Sequence, residues 1–445
     1  LEFRRVLFRS ENSGNSLASA LKTIKKAVEL ATSGDSIFIA AGTYTEVHIG
    51  LDKSITLLGE NAATTIVQAM ETKPDGTSFV KDKNVFYLDN SASVKIKHIT
   101  IRHGYNSDPG GAIGVLDGQN LTLESCNIVD SYSQLGGGAI ASWGDLNLIG
   151  CFLSGNTSKI NGGAIMSQSG TLTVKNTVIY NNVAYGTGDK NNSGGGACFI
   201  GASKAKFYNN TIAYNSCATE GNVNYGIRIQ GETGTQFEIY NNILCNSLSN
   251  NWQALDVSQN NAIYLPTTDK NKNNIFTFVY ANVLNSSTIP KTASEPKPTV
   301  SQIAFGTLSQ GNNGVFYLPI LETSIAKDAG NASSALATDI LGTSRGTSPD
   351  IGSFEWELNT TTQIILANSE QFTCPSISNG TFSIINHSDK NGKLDVYNLT
   401  GRKIFYCNVQ TGNSIITLPN NCKGVVLFSF SNEKGILNTK HMIVD

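Results

Sequence analysis

Six segments of the chain align without gaps and recur every 25 to 33 residues: VKIKHITI from Val94, LTLESCNI from Leu121, LNLIGCFL from Leu146, LTVKNTVI from Leu172, AKFYNNTI from Ala205 and FEIYNNIL from Phe237. Positions one and three are apolar in nearly every copy, whereas positions two and four are mostly polar. This period-two alternation marks a strand with one buried face. Position eight is always Ile or Leu, and position five holds His98, Ser125, Gly150, Asn176, Asn209 and Asn241. Small residues and asparagine dominate there, as a bend through the left-handed region requires. Ahead of each copy stands a second column: GGAI from Gly110, Gly137 and Gly162, GGAC from Gly195 and YGIR from Tyr225. The glycine pair makes a tight turn, and the residues after it begin another short strand. A unit of this size cannot bury its apolar face alone, but stacking coil on coil at about 4.8 Å creates a continuous core. The predicted fold class is therefore all-β, a right-handed parallel β-helix solenoid. A β-propeller would need longer repeats and a leucine-rich repeat its LxxLxL signature.

An open solenoid end exposes unpaired edges, so each end needs a cap. SLASALKTIKKAVELATSGD supplies the first, with Leu17, Leu21, Ile24, Val28 and Ala31 at helical spacing, Ser16 as N-cap and Gly34 as stop. Residues 1–14, which begin with the arginine-rich LEFRRVLFRS, read as a foreign scar or disordered start. Residues 15–356 are expected to form the β-helix with its N-terminal cap helix and irregular closing coils. Periodicity is lost over 247–313, where final coils and long loops packed across one face are expected. Residues 357–367 read as a linker. Over 368–445, alternating runs split by Gly, Asn and Pro predict a small C-terminal β-sandwich.

Charged residues make up 15 % of the chain, and 32 basic against 34 acidic side chains leave a net charge of −2. This balance argues against nucleic acid or an anionic membrane as partner. No run of eighteen apolar residues occurs, so no transmembrane segment is predicted, and a monomer is expected. Eight cysteines without CxxC spacing give no support to a zinc or redox motif. Cys126 and Cys151 share a column one coil apart and read as a buried thiol ladder rather than a disulfide. No cofactor is required and no metal site is assigned. Loop carbonyls and Asp side chains leave calcium open as a ligand, although no DxDxDG-like motif argues for it.

An enzyme on this scaffold needs catalytic groups on neighbouring coils facing one groove. The outward positions after each glycine pair read Gly114, Ala141, Met166, Phe199 and Arg228, without a carboxylate. Lys97 beneath Glu124 reads as a surface ion pair. The catalytic candidates lie just beyond position eight: His103 and Asp130 share a column, with Arg102 beside the histidine and Asp108 in the following loop. A carboxylate stacked on the imidazole would raise its pKa, whereas the competing reading is a solvated polar pair on a turn. Tyr105 and Tyr132 share a loop column, Tyr208 and Tyr240 share an outward strand column, and Trp143 stands on a neighbouring face. Such rings are the candidate carbohydrate-binding residues, or they stack on one another to stiffen the solenoid. The pairs Asn209/Asn210 and Asn241/Asn242 read as a ladder of stacked amides.

GDSIFIAAGTYTE, KSITLLGE and the GGAI segments together resemble the right-handed β-helix superfamily that includes pectate lyases, and especially polymorphic outer-membrane-protein repeats. GVFYLPILETSIAKDAG (314–330), TDILGTSR and PDIGSFE (349–355) resemble the closing segment of choice-of-anchor Q surface proteins. GKLDVYNLTGRKIF and SIITLPNNCKGVVLFSFSNEKGILNTKHMIVD resemble the C-terminal sorting domain of type IX secretion in Bacteroidetes, although TCPSISNG replaces the usual Pro-Asn-Pro start. These resemblances imply a secreted or outer-membrane-surface protein that engages the type IX machinery and whose N-terminal signal peptide is missing from this chain. They do not fix an activity. Maturation in an oxidising compartment would let Cys374, Cys407 and Cys422 contribute one disulfide. Three readings follow: an adhesin-like protein binding polysaccharide or a cell-surface glycan, a polysaccharide lyase or glycoside hydrolase acting near Arg102, His103, Asp108 and Asp130, and a rigid spacer.

Overall fold

The structure, a computed structural model, describes residues 3–6, 20–77, 83–186, 195–201, 204–217, 224–229, 236–245, 252–257, 273–276 and 298–356, and, nearer the C-terminus, 372–378, 381–386, 391–398, 403–417, 424–432 and 435–444. Two units divide at Trp356/Glu357.

The first unit is a right-handed parallel β-helix. One coil shows the plan: Asn120–Glu124, Asn127–Val129, Tyr132–Ser133 and Ile140–Ser142 follow one another around the turn. These strands belong respectively to a nine-stranded first sheet, a nine-stranded second sheet, a five-stranded third sheet and an eight-stranded fourth sheet. The gapless alignment of the sequence is the register of the first sheet, in which Val94, Leu121, Leu146, Leu172, Ala205 and Phe237 are successive partners. Ile113, Ile140, Ile165, Cys198 and Ile227 form the matching column in the fourth sheet. Both columns point inward and are almost fully buried. The glycine pair serves two needs at once. Gly137 has φ +65°, and a Cβ on Gly138 would stand 2.2 Å from the Gly163 carbonyl oxygen of the next coil.

At position five, His98, Ser125, Gly150, Asn176, Asn209 and Asn241 all adopt φ between +46° and +59°. The next position points inward and carries hydrogen bonds from coil to coil. Asn210 Oδ1 accepts from the Thr177 N–H at 2.9 Å, and its Nδ2 donates to the Val174 carbonyl at 2.9 Å and to Asn242 Oδ1 at 2.8 Å. Asn242 repeats this with Phe207 and Asn274. Cys126 and Cys151 occupy the same column as free, buried thiols, whose sulfurs lie 3.4 Å from the carbonyl oxygens of Ile96 and Leu123. A weak S–H donor thus stands where the later coils place an amide. A second amide ladder, Asn156–Asn182–Asn215, runs parallel to the first at the bend after the second sheet.

The N-terminal cap is shorter than its apolar spacing suggests. The helix spans Ile24–Leu30, and Thr23, not Ser16, is its N-cap, accepting from the Lys26 N–H. The Glu46 carboxylate of the first coil accepts from the N–H groups of Ile24 and Lys25, at 2.7 and 2.9 Å. At the other end Ala31, not Gly34, is the C-cap, and Lys53 Nζ donates to the Val28 and Glu29 carbonyls. Tertiary capping therefore sets both boundaries. Ser16 and Leu17 lie outside the described residues. Phe3–Val6, expected to lie outside the fold, pairs in parallel with Ser36–Ile39 as the outermost strand of the first sheet.

Residues 298–356 do not close the solenoid with further coils. They run lengthwise as a strap over the outward face of the second sheet. Asn61 Nδ2 donates to the Asn312 carbonyl at 2.9 Å, and Asn127 Nδ2 to the Gly314 carbonyl at 2.9 Å. Farther along, Asn176 Nδ2 reaches the Thr338 carbonyl at 2.7 Å, Asn209 Oδ1 accepts from Leu336, and Asn241 bonds both ways with Asn331. Three left-handed asparagines thus double as cleats for the strap. Ile303, Val315, Leu318, Ile320, Ile340 and Ile351 bury a second apolar core against Phe152, Val178, Ala213 and Ile243. At Gly314, with φ +79°, a Cβ would lie 2.2 Å from the Ala63 N, so only glycine lets the strap approach this closely.

The second unit holds a three-stranded and a four-stranded antiparallel sheet. Its first strand, Phe372–Ser378, shifts register between Thr373 and Ser376, across Cys374 and Pro375, where proline has no N–H to give the ladder. Cys407 carries a free thiol, whereas the Cys374 side chain and the whole of Cys422 lie outside the described residues.

Candidate functional site

His103 and Asp130 belong to one bend column with Gly155, Asn181 and Tyr214, all with φ between +52° and +66°. Their residue types follow from the left-handed bend as readily as from chemistry. The side chains do not converge on a reaction centre. Arg102 Nε donates to Gln68 Oε1 at 2.8 Å, and His103 Nδ1 lies 3.1 Å from the Met70 carbonyl oxygen. Burial, with Arg102 adding to it, outweighs Asp130 and holds the imidazole below its ordinary pKa, opposite to the elevation expected from a stacked carboxylate. Asp130 is taken instead by Lys73, whose Nζ stands 2.7 Å from Oδ1 and 3.1 Å from the Gly155 carbonyl oxygen. Asp108 is exposed in its loop, where its N–H donates to Asn106 Oδ1. Lys73 belongs to a loop of the second coil that shares no column with the repeats, so sequence alignment could not bring it here.

The same loop covers the first tyrosine pair. Tyr105 and Tyr132 stack at 5.7 Å with 9° between ring planes, but Tyr105 is only 2 % exposed. Gln134 Nε2 bridges the Tyr105 hydroxyl and the Gly76 carbonyl, and Gly76 sits against the edge of Tyr132. A cleft of about 240 Å³ lined by Met70, Lys73, Lys83 and Tyr105 remains beside them. Trp143 is half-buried against Ala141, Met166 and Phe199. From Gly114 onward the outward column of the fourth sheet is thus covered rather than open, with Ala141, Met166, Phe199 and Arg228 all 5 % exposed or less, whereas Tyr87 is half-buried and Gly50 exposed.

Tyr208 and Tyr240 stand on the first sheet, ring centroids 5.1 Å apart and planes 22° apart. Lys175 Nζ lies 5.8 Å over the Tyr208 ring, and the Tyr208 hydroxyl donates to Glu238 Oε2. Burial and that carboxylate raise the Tyr208 pKa, so the hydroxyl stays protonated. These rings spend their facing surfaces on each other, which favours stiffening, yet they remain half-buried on a face that no other segment covers among the described residues. From Lys95 to Tyr240, every outward side chain of positions two and four of the first sheet is half-buried or exposed.

Among the described residues, no group of three or more His, Cys, Asp and Glu side chains gathers to hold a metal. No protein-family model matches the chain, and no curated protein matches it. Solved structures similar to it include pectate lyase Pel9A, 17 % identical over 80 % of this chain and 97 % of that one, with a TM-score of 0.39. A pectin methylesterase from carrot is 15 % identical over 61 % of this chain and 86 % of its own, with a TM-score of 0.29. A mutant pectin methylesterase in complex with a hexasaccharide is 15 % identical over 67 % and 93 %, with a TM-score of 0.26.

Proposed function

We propose that the protein is a non-catalytic, surface-displayed β-helix that binds glycan on the outward face of its first sheet and leaves the cell by type IX secretion through its C-terminal unit. One observation carries the binding half of this reading. Among the described residues, the strap covers the second sheet, the Met70–Gly76 loop lies over Tyr105 and Tyr132 of the third, and the outward column of the fourth is buried from Gly114 to Arg228, which leaves the first sheet as the longest open face. From Lys95 to Tyr240 it is regularly spaced and, apart from Ile149, polar or tyrosine-lined, with the tyrosine stack near one end. A rigid platform loses little conformational freedom on binding. The lyase or hydrolase reading has less support, because Arg102, His103 and Asp130 are engaged by Gln68, Met70 and Lys73. Export rests on the likeness of the tail sequence to sorting domains.

The test is a glycan array probed with the full chain, together with release of unsaturated uronates or new reducing ends from the same polysaccharides. Saturable binding without turnover, weakened by Tyr240→Ala, supports the reading. Turnover that His103→Ala abolishes would replace it with the enzymatic one.

A further inference from the structure

The charges on the first sheet are not evenly matched. From Ser93 to Tyr240 its outward rows carry carboxylates at Glu124, Asp145 and Glu238, and each has a partner within the solenoid. Lys97 Nζ holds Glu124 at 2.7 Å, the Thr171 N–H donates to Asp145 Oδ1 at 2.8 Å, and the Tyr208 hydroxyl holds Glu238. The lysines are arranged differently. Lys204 is paired in register with Thr171, and Lys206 with Thr173 on one side and Glu238 on the other. Glu238 is therefore the natural neighbour for Lys206, but its carboxylate is turned to Tyr208. Among the described residues, no carboxylate lies within ion-pair distance of Lys175, Lys204 or Lys206. Lys204 is exposed, Lys206 and Lys175 are half-buried, and alternate positions on a strand place Lys204 and Lys206 about 7 Å apart on the same face. Lys175 stands on the adjacent strand and is steadied by the Tyr208 ring.

We propose that Lys175, Lys204 and Lys206, beside the Tyr208–Tyr240 stack, form the subsite that holds the ligand, and that the ligand is an acidic polysaccharide chain carrying carboxylates or sulfates. This rests on the glycan-binding reading above and adds the ligand class and the residues that select it. The warrant is charge complementarity: three ammonium groups on a rigid face, with no carboxylate at ion-pair distance among the described residues, match an anion repeated along a polymer. The tyrosine edges and Glu238 leave room for hydroxyl contacts but would repel a purely anionic surface on that side.

The experiment measures binding of the full chain to polygalacturonate, dextran sulfate, uncharged dextran and double-stranded DNA. Binding to at least one acidic polysaccharide, absent with dextran, is expected, and it should weaken about tenfold or more when NaCl rises from about 50 to about 500 mM. The double variant Lys204→Ala/Lys206→Ala should lose about tenfold in affinity with an unchanged thermal midpoint, whereas Lys159→Ala, an exposed lysine beyond the third sheet, should lose none. Equal binding to dextran, insensitive to salt and to the double variant, would overturn the acidic-ligand proposal while leaving the glycan reading in place. Equal losses from Lys159→Ala, or DNA bound as tightly as polysaccharide, would reduce the patch to non-specific charge attraction and also overturn it. No binding to any polysaccharide would remove both.

Discussion

Arg345→Met should detach the last third of the strap. Arg345 is 2 % exposed and anchors TDILGTSR to PDIGSFE and to the solenoid. Its Nη1 donates to Glu355 Oε2 at 3.0 Å and to the Asp350 carbonyl at 3.1 Å, and its Nη2 to the Gly352 carbonyl at 2.8 Å and to Asn176 Oδ1 at 3.2 Å. Asp350 and Asp339 cap surrounding N–H groups, Asp350 taking those of Asp328 and Trp356, and Asp339 those of Leu341, Thr343 and Glu355. Methionine fills much of the volume but leaves Glu355, still held by the Asp350 N–H, without its cation and takes a donor from several buried carbonyls, a loss of about 3–5 kcal/mol. The loss should be local first, because the strap can lift while the coils persist. Hydrogen exchange should therefore accelerate at Leu336, Gly352 and Ser353, whose N–H groups bond to the solenoid, and not at Leu123 or Leu148. Arg345→Lys should recover only part of the loss, since one ammonium cannot serve four directions. A cost below about 1 kcal/mol by urea unfolding, or exchange rising equally everywhere, would refute the idea that this cluster is what holds the strap.

Burial pushes the Glu355 carboxyl up to about 7 from its ordinary 4.5. A carboxyl whose folded pKa is raised contributes stability that is fully present below its unfolded pKa and is lost as pH rises through the folded value, here about 3 kcal/mol between roughly pH 4.5 and 7. Urea midpoints should fall across that window and flatten in Glu355→Gln, and Arg345→Met should cost more at pH 8 than at pH 5. Asn210→Ala leaves the Thr177 N–H and the Val174 carbonyl without their partner, so unfolding should become easier by about 2–4 kcal/mol, measured by denaturant titration. Burial holds the Cys126 thiol far above its ordinary range and pushes Cys151 up to about 12, so iodoacetamide should label neither in the folded protein and both after denaturation. Lys73→Ala should change stability by no more than about 1 kcal/mol, because Lys73 and Asp130 are 52 % and 40 % exposed.

The solenoid was legible because period-two burial and repeat length are written in the same residues. A one-residue slip would turn Leu121 or Leu146 outward, so the alignment had to be the register. The left-handed columns were legible for a similar reason, since Ser125, Gly150 and Asn176 share a backbone need rather than a side-chain chemistry. The strap was legible only in part, as loops packed across one face over 247–313, and not in its run to 356 or its asparagine cleats. Its contacts join residues as far apart as Asn61 and Asn312, and its own side chains follow the outline of the second sheet instead of any period. The candidate sites suffered from the same blindness. A column places Tyr105 beside Tyr132, but it cannot show that the Met70–Gly76 loop and Lys83, which belong to no column, lie against Tyr105 and help bury it. Reading outward as exposed failed on the fourth sheet too, where Met166 and Phe199 are 5 % exposed and pack with Ala141 and Trp143.

The second and first sheets keep their outward faces from associating in two different ways. A bare parallel sheet presents side chains on both surfaces, and outward apolar residues such as Phe152, Val178 and Ile243 would invite association if the strap did not bury them. The first sheet takes the other solution and alternates Val, Leu and Phe inward with Lys, Thr, Asn and Tyr outward. It therefore needs no cover to remain dispersed. The strap's asparagine cleats fall on Asn176, Asn209 and Asn241, one residue beyond Lys175, Tyr208 and Tyr240. The bend that fastens the strap on one side thus sets the spacing of the lysine and tyrosines on the other. Loosening the strap should disturb this end of the first sheet before the coils near Val94, and Arg345→Met should weaken ligand binding without touching a side chain on the binding face. Unchanged affinity in a variant whose strap exchanges freely would show that the first sheet holds its geometry unaided.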